Sequence, residues 1–401
     1  MDDDLEDELV NEIFWAHVKI LSKVRLDLSS MADAAVFYLR LYMFRPGTVA
    51  VAVALIAGIL LCHSTDIWFH LLARRLEVIG GYYSNRDKIK LLVNPTSRSE
   101  RASWELKGRH AGVFAVQGRR PRMEDRFSIL SNDDHDIHLY GIFDGHGGEL
   151  AADFAEKKLF PSLIKRLVEV KSQHRAPSDM PAQRAEGTRA LLAEFSRVIT
   201  EEILLLDTEL LAVAKANRDL SGSTALVALV HGTHLVVANV GDSRGVLCDR
   251  KGQAVPLSFD HKPQQLKEHK RIKEAGGFIT FNGVWRVAGV LATSRALGDF
   301  PLKDRRLVVA QPDVLTFNLA DLGATFMVLA SDGLWDALTN DDAVAFASSR
   351  LDEHLCGARS LVNKAYDIGS LDNISALVVD LRGVVAASLA EGDGRTHVAG
   401  E

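Results

Sequence analysis

The sequence predicts an α+β domain built on antiparallel sheets, and three features of the chain support this fold class. Short segments rich in branched and aromatic residues, which are typical of strands, recur between residues 110 and 382. They occur in clusters separated by helical stretches, without regular strand–helix–strand alternation, which favours antiparallel sheets. Turns that contain glycine join several of these segments, as expected for hairpins.

The individual elements follow from the spacing of the apolar residues. Helices are predicted where apolar residues recur every three to four positions, and strands where branched residues form short runs. In chain order we expect strands over 110–118 and 136–144, a helix over 149–160, a loop over 171–187, a helix over 188–214, a strand meander over 223–255, a helix closed by glycine over 265–277, and strands over 326–333 and 373–382. The residues from 385 to 401 are expected to form a flexible tail.

An uncharged run precedes this domain. Residues 47–62 contain only apolar and small side chains and threonine, and as a helix they would cover about 24 Å of a hydrocarbon core about 30 Å thick. Extension into the flanking aromatic residues makes up the difference. We therefore predict a transmembrane helix over 46–70, after an acidic and amphipathic segment over 1–45 and before a linker over 71–108. The alternative is a buried helix of a soluble domain, and basic residues on both sides leave the direction of the span open.

Composition excludes several classes of protein. The net charge of −6 argues against nucleic acid as a partner. The three cysteines lie far apart, which fits neither a disulfide framework nor a cysteine zinc site and favours a reducing compartment for most of the chain. The protein is expected to be a monomer.

The acidic residues of the domain lie where predicted strands end. Asp144 follows one strand, Asp332 and Asp336 follow another, Asp372 precedes the last strand, and Glu124 and Asp125 follow the first. Carboxylates from several strand ends that converge would suit hard cations such as Mg²⁺ or Mn²⁺. Two such ions could stabilise both oxygens of an in-line displacement at phosphorus. A single Asp-Gly pair is more often a plain turn, and spacing alone does not reveal whether the four sites meet.

Basic residues lie beside these carboxylates. Arg119, Arg120 and Arg122 directly precede Glu124, and an arginine fork suits phosphate, although a solvated basic loop is an equally good interpretation. His146 follows Asp144 by two positions and could act as a general acid, as a metal ligand or as a surface residue.

Nine sequence blocks in this order resemble the metal-dependent, type 2C serine/threonine protein phosphatases. The blocks span about residues 109–382 and read QGRRPRMEDR, GIFDGHGG, SGSTALVALV, ANVGDSRGVL, DHKP, RIKEAGG, SRALGDF, LASDGLWD and DNIS. The layout is most similar to the membrane-anchored, protein phosphatase 1-like branch of that family. The resemblance implies a four-layer α-β-β-α sandwich of two antiparallel sheets flanked by helices, over residues 109–384.

The resemblance also implies roles for individual residues. Arg120 would bind the substrate phosphate, His146 would be the general acid, and Asp125 would hold metal-bound water. Two Mg²⁺ or Mn²⁺ ions would be bound by Glu124, Asp144, the Gly145 carbonyl, Asp332 and Asp372, and a weaker third ion by Asp242 and Asp336. Arg119 departs from the family pattern, in which an aromatic residue is common at this position, and this leaves peptide preference uncertain.

The implied activity is hydrolysis of phosphoserine and phosphothreonine in proteins by a metal-bridged hydroxide. The expected partners are phosphoproteins and, through the N-terminal helix, the lipid bilayer. The catalytic domain would face the cytosol from the endoplasmic reticulum and act in stress-kinase signalling. The alternative is a catalytically silent scaffold with the same fold at a membrane.

Overall fold

The computed structural model describes residues 102–174 and 181–386 of the chain. The transmembrane helix predicted over 46–70 lies outside these residues, as do the segment 1–45, most of the linker and the tail beyond residue 386. Within the two described ranges, no helix has both the length and the apolar character needed to cross a membrane.

Two antiparallel sheets form the centre of the domain, and two small sheets lie beside them. In the larger sheet the strand order is β1-β2-β16-β15-β9-β10, in the second β14-β8-β7-β4-β3, and the small sheets are β13-β6-β5 and β11-β12. In chain order the strands are β1 (Ser103–Lys107), β2 (Ala111–Val116), β3 (Arg126–Asn132), β4 (Ile137–Phe143), β5 (Gly145–His146), β6 (Gly222–Ser223), β7 (Ala225–His231), β8 (His234–Val240), β9 (Arg244–Cys248), β10 (Ala254–Pro256), β11 (Ile279–Asn282), β12 (Val284–Val287), β13 (Leu297–Gly298), β14 (Asp313–Asn318), β15 (Phe326–Ala330) and β16 (Ile374–Asp380).

Helices cover the outer faces of both main sheets. The α-helices of the described residues are α1 (Leu150–Gln173), α2 (Pro181–Asn217), α3 (Leu266–Glu274), α4 (Phe300–Lys303), α5 (Leu319–Leu322), α6 (Asp332–Trp335), α7 (Asn340–Ser348) and α8 (Ala358–Ile368). Apolar side chains of α1 and α2 pack on the five-stranded sheet, and those of α6, α7 and α8 pack on the six-stranded sheet.

The strands are apolar on both faces because each central strand lies between two layers. On β2, Val113 belongs to the core between the sheets and Phe114 to the core beneath the helices. On β4, Leu139 faces the helices and Tyr140 faces the other sheet. Burial of each large aliphatic side chain contributes about 1.5–3 kcal/mol, so three stacked cores hold the strand ends at fixed positions. The predicted α+β class with antiparallel sheets is confirmed.

Four sequence predictions need correction. Residues 103–107, assigned to the linker, form the edge strand β1, which is short and exposed along its whole length, although Trp104 and Leu106 alternate with polar residues. The loop predicted over 171–187 is helical at both ends, since α1 reaches Gln173 and α2 begins at Pro181. The helix predicted to end at 160 continues through Pro161. The predicted meander is interrupted, because β8 pairs with β7 whereas β9 pairs with β15 in the other sheet.

Candidate active site

The carboxylates singled out in the sequence lie at one end of the sandwich. Antiparallel pairing brings the end of β4 next to the start of β3, with Phe143 opposite Arg126. In the other sheet it brings the end of β15 next to the start of β16, with Ala330 opposite Ala376. The loops at these four strand ends carry the predicted acidic residues, so residues that are far apart in sequence meet there.

Asp144 and Asp332 are in direct contact across the two sheets. The backbone N–H of Asp332, at the start of α6, donates to Asp144 Oδ2 at 3.3 Å. Burial and then the charge of Asp332 raise the pKa of Asp144 well above its ordinary value, with further contributions from Asp125, Asp242 and Asp372. This mutual repulsion is expected where several carboxylates share one site.

Asp332 is surrounded by the same set of acidic groups. Its pKa is also raised well above the ordinary value, first by burial and then by Asp242, Asp372 and Asp336. Burial likewise raises the pKa of Asp336. The structure therefore brings the other four predicted aspartate ligands within electrostatic reach of Asp332.

Asp125 lies buried behind this cluster. Its side chain is 2% exposed, and its Oδ2 accepts hydrogen bonds from Ser331 Oγ at 2.8 Å and Ser375 Oγ at 2.7 Å. Burial raises the pKa of Asp125 to about 6, even though the two hydroxyl donors favour the charged form. The sequence interpretation gave neither serine a role, although Ser331 lies in the block LASDGLWD and Ser375 in the block DNIS.

Arg120 meets the cluster at Asp372. Its Nη2 donates to Asp372 Oδ2 at 2.5 Å, and about half of the arginine side chain is exposed. The neighbouring Arg119 is engaged elsewhere, because it donates to the Ser370 carbonyl at 2.9 Å and stacks on the Tyr366 ring. The structure thus places Arg120, and not Arg119, at the carboxylate cluster with about half of its side chain open to solvent.

Asn373 joins the arginine loop to the start of β16. Its amide nitrogen donates to the carbonyls of Gln117 and Arg122, at 2.7 and 2.8 Å, and its amide oxygen accepts from the N–H of Glu124 at 2.8 Å. The residue is 4% exposed. This buried amide fixes the positions of Glu124 and Arg120 relative to Asp372.

Gly145 must be glycine for a steric reason. A Cβ at this position would collide with the carbonyl oxygen of Glu124. The absence of a side chain therefore lets the strand after Asp144 approach the backbone of Glu124, the one predicted glutamate ligand, closely.

Two further charged residues contact the predicted site residues. Lys262 Nζ donates to Asp242 Oδ2 at 2.6 Å, and although burial opposes it, Asp242 raises the pKa of the lysine. Asp299 accepts from or donates to His146 through a 2.8 Å contact between Oδ2 and Nε2. Burial alone would lower the pKa of His146, but the charge of Asp299 raises it. Both residues stand in recognised sequence blocks, but spacing gave no signal of their partners.

The donor set fits a hard divalent cation. It consists of carboxylate oxygens whose pKa values are raised by burial and then by their mutual repulsion, and a cation would relieve that repulsion. Within residues 102–174 and 181–386, no three His, Cys, Asp or Glu side chains surround a single point closely enough to hold an ion as they stand. Asp372 and Asp242 are instead directed to Arg120 and Lys262.

Comparison with known proteins gives a consistent result. The family model for Protein phosphatase 2C matches residues 109–374. The chain is 42% identical to Protein phosphatase 1L of Bos taurus over 361 residues, which cover 86% of this chain and 94% of that protein. It is also 42% identical to Probable protein phosphatase 2C 59 of Oryza sativa subsp. japonica, over 67% of this chain and 74% of that one.

A solved structure agrees with these sequence matches. The serine-threonine phosphatase 2C from Toxoplasma gondii superposes with a TM-score of 0.61 and 26% identity, and the match covers 70% of this chain and 99% of that one. The fold, the ordered motifs and the cluster of carboxylates beside an arginine all agree with this result. The chain belongs to the protein phosphatase 2C family of serine/threonine protein phosphatases.

Proposed function

We propose that this protein is a membrane-anchored phosphatase that hydrolyses phosphoserine and phosphothreonine in proteins, using two Mg²⁺ or Mn²⁺ ions and a weaker third. The observation that carries the proposal is the convergence of Asp144, Asp332 and Asp372 beside Arg120, from four separate stretches of the chain. If these carboxylates lay in different regions of the domain, they could not share a pair of ions, and the hydrolytic function would have no support.

The residues that would hold the pair of ions are Glu124, Asp144, the Gly145 carbonyl, Asp332 and Asp372, with Asp242 and Asp336 for the weaker one. Bound there, the ions would supply Lewis-acid stabilisation of the phosphoryl oxygens and a water activated for attack. Asp125 lies behind the ligands with one carboxylate oxygen fixed by two serines, which suits it to hold such a water in place.

Arg120 would orient the phosphate. Its guanidinium already donates to Asp372, and a large part of it is open to solvent, so it can also donate to the oxygens of an incoming phosphate monoester. Arginine suits this position because its planar fork matches the geometry of phosphate.

His146 would protonate the departing seryl or threonyl oxygen. The nearby carboxylate of Asp299 favours the charged ring, and a protonated imidazole can donate a proton to an alkoxide. General-acid help is needed because a serine alkoxide is a poor leaving group.

The proposed anchor rests on the uncharged run 47–62 in the sequence. The similarity to Protein phosphatase 1L also takes in 86% of the chain, so it continues well outside residues 109–374. A phosphatase acting on phosphoproteins would have its catalytic domain in the cytosol. We place it at the endoplasmic reticulum, with substrates in stress-kinase signalling.

A peptide assay tests the proposed activity. We expect Mn²⁺- or Mg²⁺-dependent release of phosphate from phosphoserine and phosphothreonine peptides, and its loss on addition of EDTA. Arg120→Ala should lower kcat/KM by about 10²-fold, the effect of removing one donor to a charged transition state. Arg109→Ala is the matched control, since Arg109 is an exposed arginine at the opposite end of β2. A wild-type protein that releases no phosphate with either metal would support a silent scaffold instead.

A further inference from the structure

The small sheet β13-β6-β5 holds a histidine and a carboxylate together beside the metal ligands. His146 on β5 is paired with Gly222 on β6, and Gly222 is paired on its other side with Gly298 on β13. Asp299 directly follows Gly298. The side chains of His146 and Asp299 therefore come from the two outer strands and meet across Gly222, with Nε2 and Oδ2 2.8 Å apart.

The middle strand is shaped to allow this contact. A Cβ at Gly222 would collide with both Asp299 Oδ2 and His146 Nε2, the two atoms of the hydrogen bond. Any residue other than glycine would force the pair apart. The glycine of the SGST block is thus explained by the histidine–aspartate contact itself.

Asp299 is held in a costly backbone conformation. Its φ is +53°, in the left-handed region that non-glycine residues rarely adopt. Its N–H donates to the Ser221 carbonyl, and its own carbonyl accepts from the N–H groups of Leu302 and Lys303, the last two residues of α4. Strain of about 1–3 kcal/mol persists only where the surroundings impose it, and it concentrates at functional sites.

A buried ion pair supports the strand from behind. Asp207 on α2 accepts from the Gly298 N–H at 2.8 Å and from Lys303 Nζ at 2.8 and 2.9 Å. Both side chains are about nine-tenths buried. The residue before Asp299 and the helix after it are therefore both tied to α2, which fixes where the Asp299 carboxylate lies.

The remaining ring nitrogen of His146 is the one available to substrate. Nε2 is taken by Asp299, while Nδ1 makes no hydrogen bond with any residue that the structure describes. The side chain is 28% exposed. Nδ1 is therefore the ring nitrogen that a substrate oxygen could reach.

We propose that Asp299 is the positioning residue for the general acid: it holds the His146 ring through Nε2 so that Nδ1–H faces the leaving oxygen of the substrate. This inference rests on the proposed function and deepens it. As the bond between phosphorus and the seryl oxygen breaks, its electron pair goes to that oxygen and the Nδ1 proton follows. Water forms the new bond to phosphorus and releases one proton to the solvent, and the ring of His146 takes a proton back from the solvent, so the products are serine and hydrogen phosphate.

Substrates with different leaving groups test this role. Nitrophenolate departs without protonation, whereas a seryl oxygen needs the acid. In Asp299→Asn we expect kcat for a phosphoserine peptide to fall by about 10²-fold, the usual contribution of a general acid, with kcat for p-nitrophenyl phosphate within about threefold of wild type. Gly222→Ala should give the same selective loss, since it separates the pair without removing a functional group. Asp304→Asn, an exposed aspartate just after α4 that pairs with Lys215, is the matched control and should change neither rate.

Other outcomes overturn the inference. If Asp299→Asn lowers kcat for both substrates by the same factor, or weakens Mn²⁺ binding measured by calorimetry, Asp299 supports the fold or the metal site. It then does not act by positioning His146. If the kcat of Asp299→Asn equals that of wild type on both substrates, Asp299 has no role in the reaction. In a His146→Ala background, Asp299→Asn should add almost nothing, and an additive loss would also refute the assignment. Failure of the proposed function is distinct, since the wild type itself would then release no phosphate from the peptide.

Discussion

Asp144 combines two opposing effects at the scale of a single residue. It is buried among other carboxylates that raise its pKa, so in the absence of a cation its charge destabilises the fold. The same charge is the strongest reason for a divalent ion to bind there. Function and stability are therefore expected to respond in opposite directions when this charge is removed.

Asp144→Asn should lower kcat by about 10³-fold or more, because a metal contributes several kcal/mol of charge stabilisation and each 1.4 kcal/mol corresponds to about tenfold in rate. In EDTA the variant should melt at a higher temperature than wild type. Added Mn²⁺ should then raise the Tm of wild type only, since the ion stabilises the form that binds it. Asp341→Asn, an exposed aspartate on α7, serves as control. A Tm of Asp144→Asn that still rises with Mn²⁺ would contradict the assignment.

Glu268 illustrates a carboxylate with a purely structural role. It is 1% exposed and accepts hydrogen bonds from Arg295, Arg271 and Ser294. Burial alone would raise the pKa of Glu268, but the two arginines lower it to about 2. Because the folded-state pKa lies below the ordinary value of 4.5, its stabilisation is present above about pH 4.5 and is lost as the pH falls towards 2.

Unfolding by urea at several pH values tests the direction in which the stabilisation by Glu268 changes with pH. Wild type should lose stability steeply between pH 5 and pH 3, and Glu268→Gln should lose less over that interval. At pH 7 the variant should be less stable by about 3 kcal/mol, because it leaves Arg295 buried without its charged partner. Glu274→Gln, an exposed change at the end of the same helix, should behave as wild type. If the free energies of unfolding of wild type and Glu268→Gln fall in parallel with pH, Glu268 does not titrate as described.

Sequence motifs singled out the carboxylates that the structure brings together, but not the side chains that position them. The aspartates could be assigned because each follows or precedes a strand in a recognisable block. Ser331, Ser375, Asn373 and Asp299 act through contacts between segments that lie far apart in the chain. Such contacts depend on how the two sheets stack, which no local pattern encodes.

At the scale of secondary structure, the burial pattern decided which predictions succeeded. The fully buried strands β2, β15 and β16 were predicted because both of their faces are apolar. The strands β1, β3 and β14, which are exposed or only partly buried, were missed. Helix α1 continues past residue 160, where it was predicted to end, although Pro161 lacks an N–H. Leu163 and Leu167 bury their side chains against the sheet and outweigh that loss.

The loop between β2 and β3 depends on one amide. Asn373→Ala would leave the carbonyls of Gln117 and Arg122 and the N–H of Glu124 without their partner in a buried setting. We expect a loss of about 2–3 kcal/mol in the free energy of unfolding, and weaker Mn²⁺ binding because Glu124 is released. Thermal unfolding and calorimetry measure the two effects. Asn340→Ala, which removes a contact with Arg244 outside this loop, is the control, and equal Mn²⁺ affinity of Asn373→Ala and wild type would contradict this role.

At the scale of the whole molecule, a catalytic domain accounts for residues 102–386, and the uncharged run lies before it. The sequence identified the α+β class, and the carboxylates that it singled out lie at one end of the sandwich. It could not reveal that β8 and β9 belong to different sheets, because strands in either sheet show the same apolar pattern. The family and the site therefore rest on several agreeing observations, whereas the anchor rests on sequence.

Fractionation tests the proposed anchor. Full-length protein expressed in cells should remain in the membrane pellet after carbonate extraction, because about twenty apolar residues would be buried in lipid. A chain that begins near residue 95 should be soluble and retain metal-dependent activity, since it keeps the whole catalytic domain. Recovery of the full-length protein in the carbonate supernatant would contradict the anchor without affecting the enzyme.

Diffraction from crystals grown with Mn²⁺, with anomalous differences measured, tests the central claim most directly. We predict two strong peaks at the end of the sandwich, between Asp144, Asp332, Asp372, Glu124 and the Gly145 carbonyl, and a weaker third peak near Asp242 and Asp336. Arg120 should stand next to the pair. The absence of any peak among these carboxylates, in crystals that diffract well and contain Mn²⁺ in the solvent, would contradict the proposed metal centre.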